Sequence, residues 1–150
     1  MTDAADDAET AGAAGRGAPS GHGAPLGPTI STHVLDAEHG QPAVGVHVTL
    51  YKLGEDDRPI RLTQALTDGD GRVQDLLERP MSPGDYRLEF ALAGPPGSAS
   101  AAGASAEGAA LAGDRFFRRM SIDLRISDTS RSYHVPLLLS PYSMTTYRGS

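Results

Sequence analysis

Ser132-Tyr133-His134-Val135-Pro136-Leu137-Leu138-Leu139-Ser140-Pro141-Tyr142-Ser143-Met144-Thr145-Thr146-Tyr147-Arg148-Gly149-Ser150 is the stretch on which the reading of this chain turns. It opens as an apolar run carrying one histidine, turns at Ser140-Pro141 and closes as a β-prone run ending on Arg148-Gly149-Ser150. Segments that fray are usually polar and poor in aromatics. Here Tyr133, Tyr142, Tyr147 and three consecutive leucines need burial, so two ordered strands are expected. Pro136 donates no ladder hydrogen bond, and a bulge or a skipped pair should sit there.

The same period of two recurs upstream. In Val44-Gly45-Val46-His47-Val48-Thr49-Leu50-Tyr51, the residues Val44, Val46, Val48 and Leu50 fall on one strand face. Thr32-His33-Val34-Leu35-Asp36 is a shorter strand, and Glu38-His39-Gly40-Gln41-Pro42 supplies the turn between the two. Arg61 to Thr67 reads as a further strand, followed by the tight turn Thr67-Asp68-Gly69-Asp70-Gly71, where glycine can take positive φ. After a Pro83-Gly84 turn, Tyr86, Leu88, Phe90 and Leu92 point inward, and later Met120, Ile122, Leu124 and Ile126 alternate with Ser121, Asp123 and Arg125. About eight short strands with turn residues between them and at most one short helix predict an all-β, two-sheet β-sandwich.

Two segments stand outside this pattern. Residues 1–28 are Ala, Gly, Asp, Glu, Pro and Ser with little to bury, and are expected to be a disordered acidic leader to a domain spanning 29–150. Its His22, between glycines, is read as solvated. Residues from about 93 to 113 are rich in Ala, Gly and Ser and read as a flexible insertion; Gly103 and Gly108 each weaken a helix over Ala101 to Leu111 by about 1 kcal/mol.

Charge and composition narrow the function classes. A formal net charge of −6 over 150 residues argues against a nucleic-acid or anionic-membrane surface. Without cysteine there is no disulfide, thiol nucleophile or cysteine-bound metal. No apolar run is long enough to span a bilayer and no secretory signal pattern is present, so a cytoplasmic location is expected. The Asp68-x-Asp70 string lacks the glutamate of a calcium loop, since its twelfth position is Arg79. His33 and His134 alone are too few ligands for zinc, so no metal is expected.

Three polar residues are poorly explained by structure alone: His33, on the face of Leu35; His134, facing away from Tyr133, Val135 and Leu137; and Arg72, leaving a glycine turn. Each sits in a short block, namely His33-Val34-Leu35-Asp36, Asp70-Gly71-Arg72 and Tyr133-His134-Val135-Pro136, and the chain closes on Tyr147-Arg148-Gly149-Ser150. Taken together and in this order, these blocks resemble the 5-hydroxyisourate hydrolases, the transthyretin-related enzymes of urate breakdown. The resemblance covers Ile30 through Ser150. It departs from the family at Met144, where a tyrosine is usual, and in the insertion, where a short helix is usual.

The resemblance implies the transthyretin version of the sandwich and the substrate 5-hydroxyisourate. It implies catalytic roles for His33, Arg72, His134 and Ser150, with His33, Arg72, Tyr147 and Ser150 binding substrate. It implies a homotetramer with sites between dimers, and direct hydrolysis without a cofactor. Either histidine is suited to take a proton from water near neutral pH, and Arg72 to hold a developing oxyanion. His39 is read as a turn residue and His47 as the outward member of its strand. Two other functions remain in view: a small-ligand carrier of the transthyretin kind without chemistry, and a structural sandwich module tethered by its leader.

Overall fold

The computed structural model describes residues 27–93 and 115–149. Nine strands make up two sheets: β1 (Ile30–Asp36), β2 (Gln41–Pro42), β3 (His47–Leu53), β4 (Pro59–Leu66), β5 (Arg72–Val73), β6 (Gly84–Ala91), β7 (Arg119–Ile126), β8 (Tyr133–Ser140) and β9 (Ser143–Thr146). One sheet runs β2-β1-β8-β9, with β5 also paired to β1, and the other runs β4-β3-β6-β7. No helix occurs among the described residues. The leader expected over 1–28 and the insertion expected over about 93–113, with its weak helix, lie outside the described residues except at their edges.

The alternating apolar residues fill the space between the sheets. Ile30 and Val34 from β1, Val48 and Leu50 from β3, Tyr86, Leu88 and Phe90 from β6, and Val135, Leu137 and Leu139 from β8 are all buried. Truncating one of these, such as Leu88→Ala, would cost about 3 kcal/mol. The opposite face of the second sheet is charged. Arg87 and Asp123 stand directly across β6 and β7, as do Asp85 and Arg125, each pair joined by two parallel hydrogen bonds of 2.7–3.0 Å. Cross-strand pairs of this kind favour register over bulk stability.

Two local expectations change. The strand expected from Val44 starts only at His47, because Gly45 takes φ +75° and Val44-Gly45 form a turn. Thr67 ties that turn down: Gly45 N donates to its carbonyl (3.0 Å), Val46 N to its hydroxyl oxygen (2.9 Å), and its hydroxyl to the Ala43 carbonyl (2.6 Å). In the following glycine turn only Gly71 has positive φ, at +74°, and a Cβ there would lie 2.5 Å from the Val34 carbonyl oxygen.

Pro136 shows why a proline survives inside β8. The parallel register with β1 runs unbroken from Ile30↔Tyr133 to Asp36↔Leu139. Tyr133 N donates to Thr29 O and Leu139 O accepts from Ala37 N, so odd-numbered residues of β8 bond toward β1. The His134 carbonyl accepts from Gly149 N, so even-numbered residues bond toward the C-terminal segment. The missing N–H of Pro136 therefore falls on the β9 side, where the ladder stops at Leu137↔Thr146 and resumes only at the His134↔Gly149 bridge. The Thr146 hydroxyl donates to the Pro136 carbonyl (2.9 Å) and fills the skipped pair.

Candidate active site

Register places the site. Along β1, Ile30, Thr32, Val34 and Asp36 are buried while Ser31, His33 and Leu35 are half-buried, so the second set lies on the outer face of the first sheet. Ser31 pairs with His134 and His33 with Pro136 across the parallel β1–β8 ladder. On the other edge of β1, His33 pairs with Arg72 of β5. Paired residues share a sheet face, so His33, Arg72 and His134 stand on one face, away from the core.

Arg72 and His134 are anchored locally. Arg72 follows the Asp68–Gly71 turn, in which Asp68 Oδ1 accepts from Asp70 N and Arg72 N, both at 2.9 Å. Val34 N donates to the Gly71 carbonyl at 2.7 Å, clamping the turn to β1. His134 has Ser31 Oγ 2.9 Å from its Nδ1 and the Gly149 backbone against the other edge of its ring.

The electrostatics agree with this proximity. Burial, then the charge of Arg72, then His33, hold His134 below the ordinary imidazole value of 6.5. That direction favours the neutral ring near pH 7.

The remaining expected site residues are placed unevenly. Tyr147, more than half exposed, stands between Thr146, paired with Leu137, and Gly149, bridged to His134. It also lines a cavity of about 320 Å³ with Ile122, Leu124, Ile126, Val135 and Thr146 at the β7 side of the sandwich. Of the β8 residues, Tyr133 and Val135 line that cavity and His134 does not. Ser150 lies outside the described residues, next to Gly149. Met144 packs against the core opposite Leu139.

His39 sits in the turn as expected, with an unforeseen partner. The buried Asp36 carboxylate takes the His39 Nδ1 at 2.9 Å, accepts from Glu38 N (3.0 Å) and His39 N (3.2 Å), and faces Arg115 at 3.7 Å. Asp36, Glu38 and His39 have ligand-type atoms within 4.8 Å of one another. Asp36 is already engaged by these donors and by a guanidinium, which competes with any cation.

Ser31 is the site residue that the sequence left unnoticed. Lying two residues before His33, it had to share that residue's face; its contact with His134 depends on a pairing across 103 residues that no local pattern announces.

Two sheets, ordered β2-β1-β8-β9 and β4-β3-β6-β7 around a shared core, define a transthyretin-like sandwich. Known proteins bear out this fold. A model of the HIUase/Transthyretin family matches residues 30–149. The 5-hydroxyisourate hydrolase of Salmonella dublin is 40% identical over 122 residues, covering 81% of this chain and 80% of that protein. Among solved structures, the 5-hydroxyisourate hydrolase of Klebsiella pneumoniae aligns with a TM-score of 0.62 at 33% identity, covering 81% of this chain and 99% of that one. Transthyretin from Sparus aurata aligns with a TM-score of 0.65 at 24% identity over 80% of this chain and 95% of its own, a likeness of fold. This chain belongs to the HIUase/Transthyretin family.

Proposed function

We propose that this protein hydrolyses 5-hydroxyisourate to 2-oxo-4-hydroxy-4-carboxy-5-ureidoimidazoline in urate breakdown. The observation that carries the proposal is the convergence of His33, Arg72 and His134 on one outer sheet face; burial and the Arg72 charge, which lower the His134 pKa, support it. Water adds to a ring carbonyl carbon and gives its proton to an imidazole. The resulting oxyanion is stabilised by the Arg72 guanidinium, which stays charged and offers a planar set of donors. Collapse of the oxyanion breaks the adjacent C–N bond, and the imidazolium returns its proton to the leaving nitrogen. The ring opens to a carboxylate and a ureido group, with no oxidant or covalent intermediate needed.

Ser150 and Tyr147 complete this proposal as groups that hold water or a substrate carbonyl and form the wall of the site. The bridge from Gly149 to His134 supports such a place for Ser150, the next residue. The family match over 30–149 supports a single hydrolase domain beginning near residue 29. A cytoplasmic location belongs to the same proposal. No helix among the described residues is long and apolar enough to cross a membrane.

A homotetramer is also part of the proposal. β7 and β9 end their sheets, and the partly buried Ile122 and Leu124 line the seam between them, which supports contact with further copies. Sedimentation showing a fully active stable monomer would overturn it.

The function is tested by following the ultraviolet absorbance of freshly made 5-hydroxyisourate with and without the protein. Decay faster than the unaided reaction is expected. Binding of the substrate without faster decay would make the protein a carrier, and neither effect would leave a structural module.

A further inference from the structure

We infer that Ser31 is a positioning residue for this hydrolysis: its hydroxyl accepts the proton on His134 Nδ1 and so leaves Nε2 as the basic nitrogen at the open face. The inference rests on the hydrolase function proposed above and assigns the base to His134 rather than His33.

The geometry begins with the two shoulders of the ring. Nδ1 and Cδ2 both adjoin Cγ. Ser31 Oγ lies 2.9 Å from Nδ1, and the Gly149 backbone packs so closely on the other side that a Cβ there would come within 2.8 Å of Cδ2. With both shoulders held, the far end of the ring, Cε1 and Nε2, projects past them.

Protonation follows from that arrangement. Neutral imidazole carries one proton, and the hydrogen bond made by one nitrogen decides which of the two bears it. Nε2 can take a proton from water only if Nδ1 already holds one. Ser31 Oγ is the acceptor in place for that Nδ1–H, and its own hydroxyl reaches the Tyr133 carbonyl at 3.5 Å. The chain His134 Nδ1–H to Ser31 Oγ–H to Tyr133 C=O runs one way, from ring to backbone. The carbonyl cannot donate, so it favours that direction. When Nε2 gains its proton, the imidazolium keeps the same hydrogen bond to Ser31, and the ring need not turn during the reaction. His33 has Arg72 and Pro136 as its ladder partners, and neither side chain accepts a proton.

The test compares the full-length protein with Ser31→Ala and Ser31→Thr. Histidine ¹⁵N shifts, read without substrate at a pH where His134 is neutral, give the tautomer; kcat and KM for 5-hydroxyisourate give the consequence. The wild type should carry the His134 proton on Nδ1. Ser31→Ala should move it toward Nε2 and lower kcat about tenfold with KM little changed, the scale of one hydrogen bond of tautomer preference. Ser31→Thr, which keeps the hydroxyl, should restore both. A wild-type His134 protonated on Nε2, or an Ser31→Ala protein with undiminished kcat, would overturn the inference. If Ser31→Ala fails to fold, the wild-type tautomer and the threonine variant still decide. A wild type that binds no faster route to product than buffer does would instead defeat the hydrolase function, and the substrate-free tautomer measurement keeps that failure separate.

Discussion

Gly149 donates its backbone N–H to the His134 carbonyl at 2.8 Å, and its α-carbon lies so near the imidazole that no side chain fits between them. A Cβ would stand 2.8 Å from Cδ2 and 3.3 Å from Cγ. The glycine of the closing Tyr-Arg-Gly-Ser block is thus a spacer that lets the C-terminal strand lie flat against the ring.

Gly149→Ala is therefore expected to push His134 off Ser31. Because the site is on the outer face, melting should change little while kcat falls about tenfold or more, since proton transfer needs the base within hydrogen-bond reach. Steady-state kinetics beside a thermal melt checks this. An alanine variant with parental turnover would show that the ring has room to spare.

With His134 as the proposed base, its lowered pKa sets the acid side of the pH profile. Burial, Arg72 of β5 and His33 of β1 act on it, while Ser31 bonds its ring. A base works when neutral, so kcat/KM should fall as pH drops through the folded His134 pKa, below the ordinary 6.5. Removing the Arg72 charge should move that limb upward in pH. Acidification also costs stability here, since the unfolded chain accepts this proton at a higher pH than the folded one. A pH–rate series on the parent, with NMR titration of His134 in Arg72→Ala, measures both shifts.

Asp36 and His39 form a second pH-dependent pair, at the end of β1. Burial raises the Asp36 pKa, but the His39 ring and the two turn N–H groups outweigh it and hold the carboxyl below its usual 3.8. Hydrogen bonding to Asp36 raises His39 above 6.5. The depressed carboxyl stabilises the fold fully above 3.8 and loses this as pH falls through its folded pKa. The raised imidazole contributes fully below 6.5 and loses this as pH rises through its folded pKa. Their joint contribution is greatest between those values. Asp36→Asn should lower stability by about 2 kcal/mol near pH 5.5, and by less near pH 3, in urea unfolding.

The strands were legible where burial has one side. Tyr86, Leu88, Phe90 and Leu92 alternate cleanly because β6 is central and covered on one face. The Val44-Gly45 turn was hidden because valine alternation continued through it, and only the remote Thr67 pins the backbone there. At the site, the blocks around His33, Arg72 and His134 could be read from the chain. Their convergence could not be derived from periodicity, since it depends on β1 lying parallel to β8 and antiparallel to β5. Ser31 had no feature to distinguish it from a surface serine until that pairing set it beside His134.

The central claim is that His33, Arg72 and His134 act together on the ring of the substrate. Single-turnover decay of fresh 5-hydroxyisourate, recorded with the parent and with Arg72→Ala and His134→Ala at matched oligomeric state, tests it most directly. The parent should outpace spontaneous decay, and each variant should lose on the order of a hundredfold or more of that gain while remaining folded. A parent no faster than buffer, or variants as fast as the parent, would contradict it.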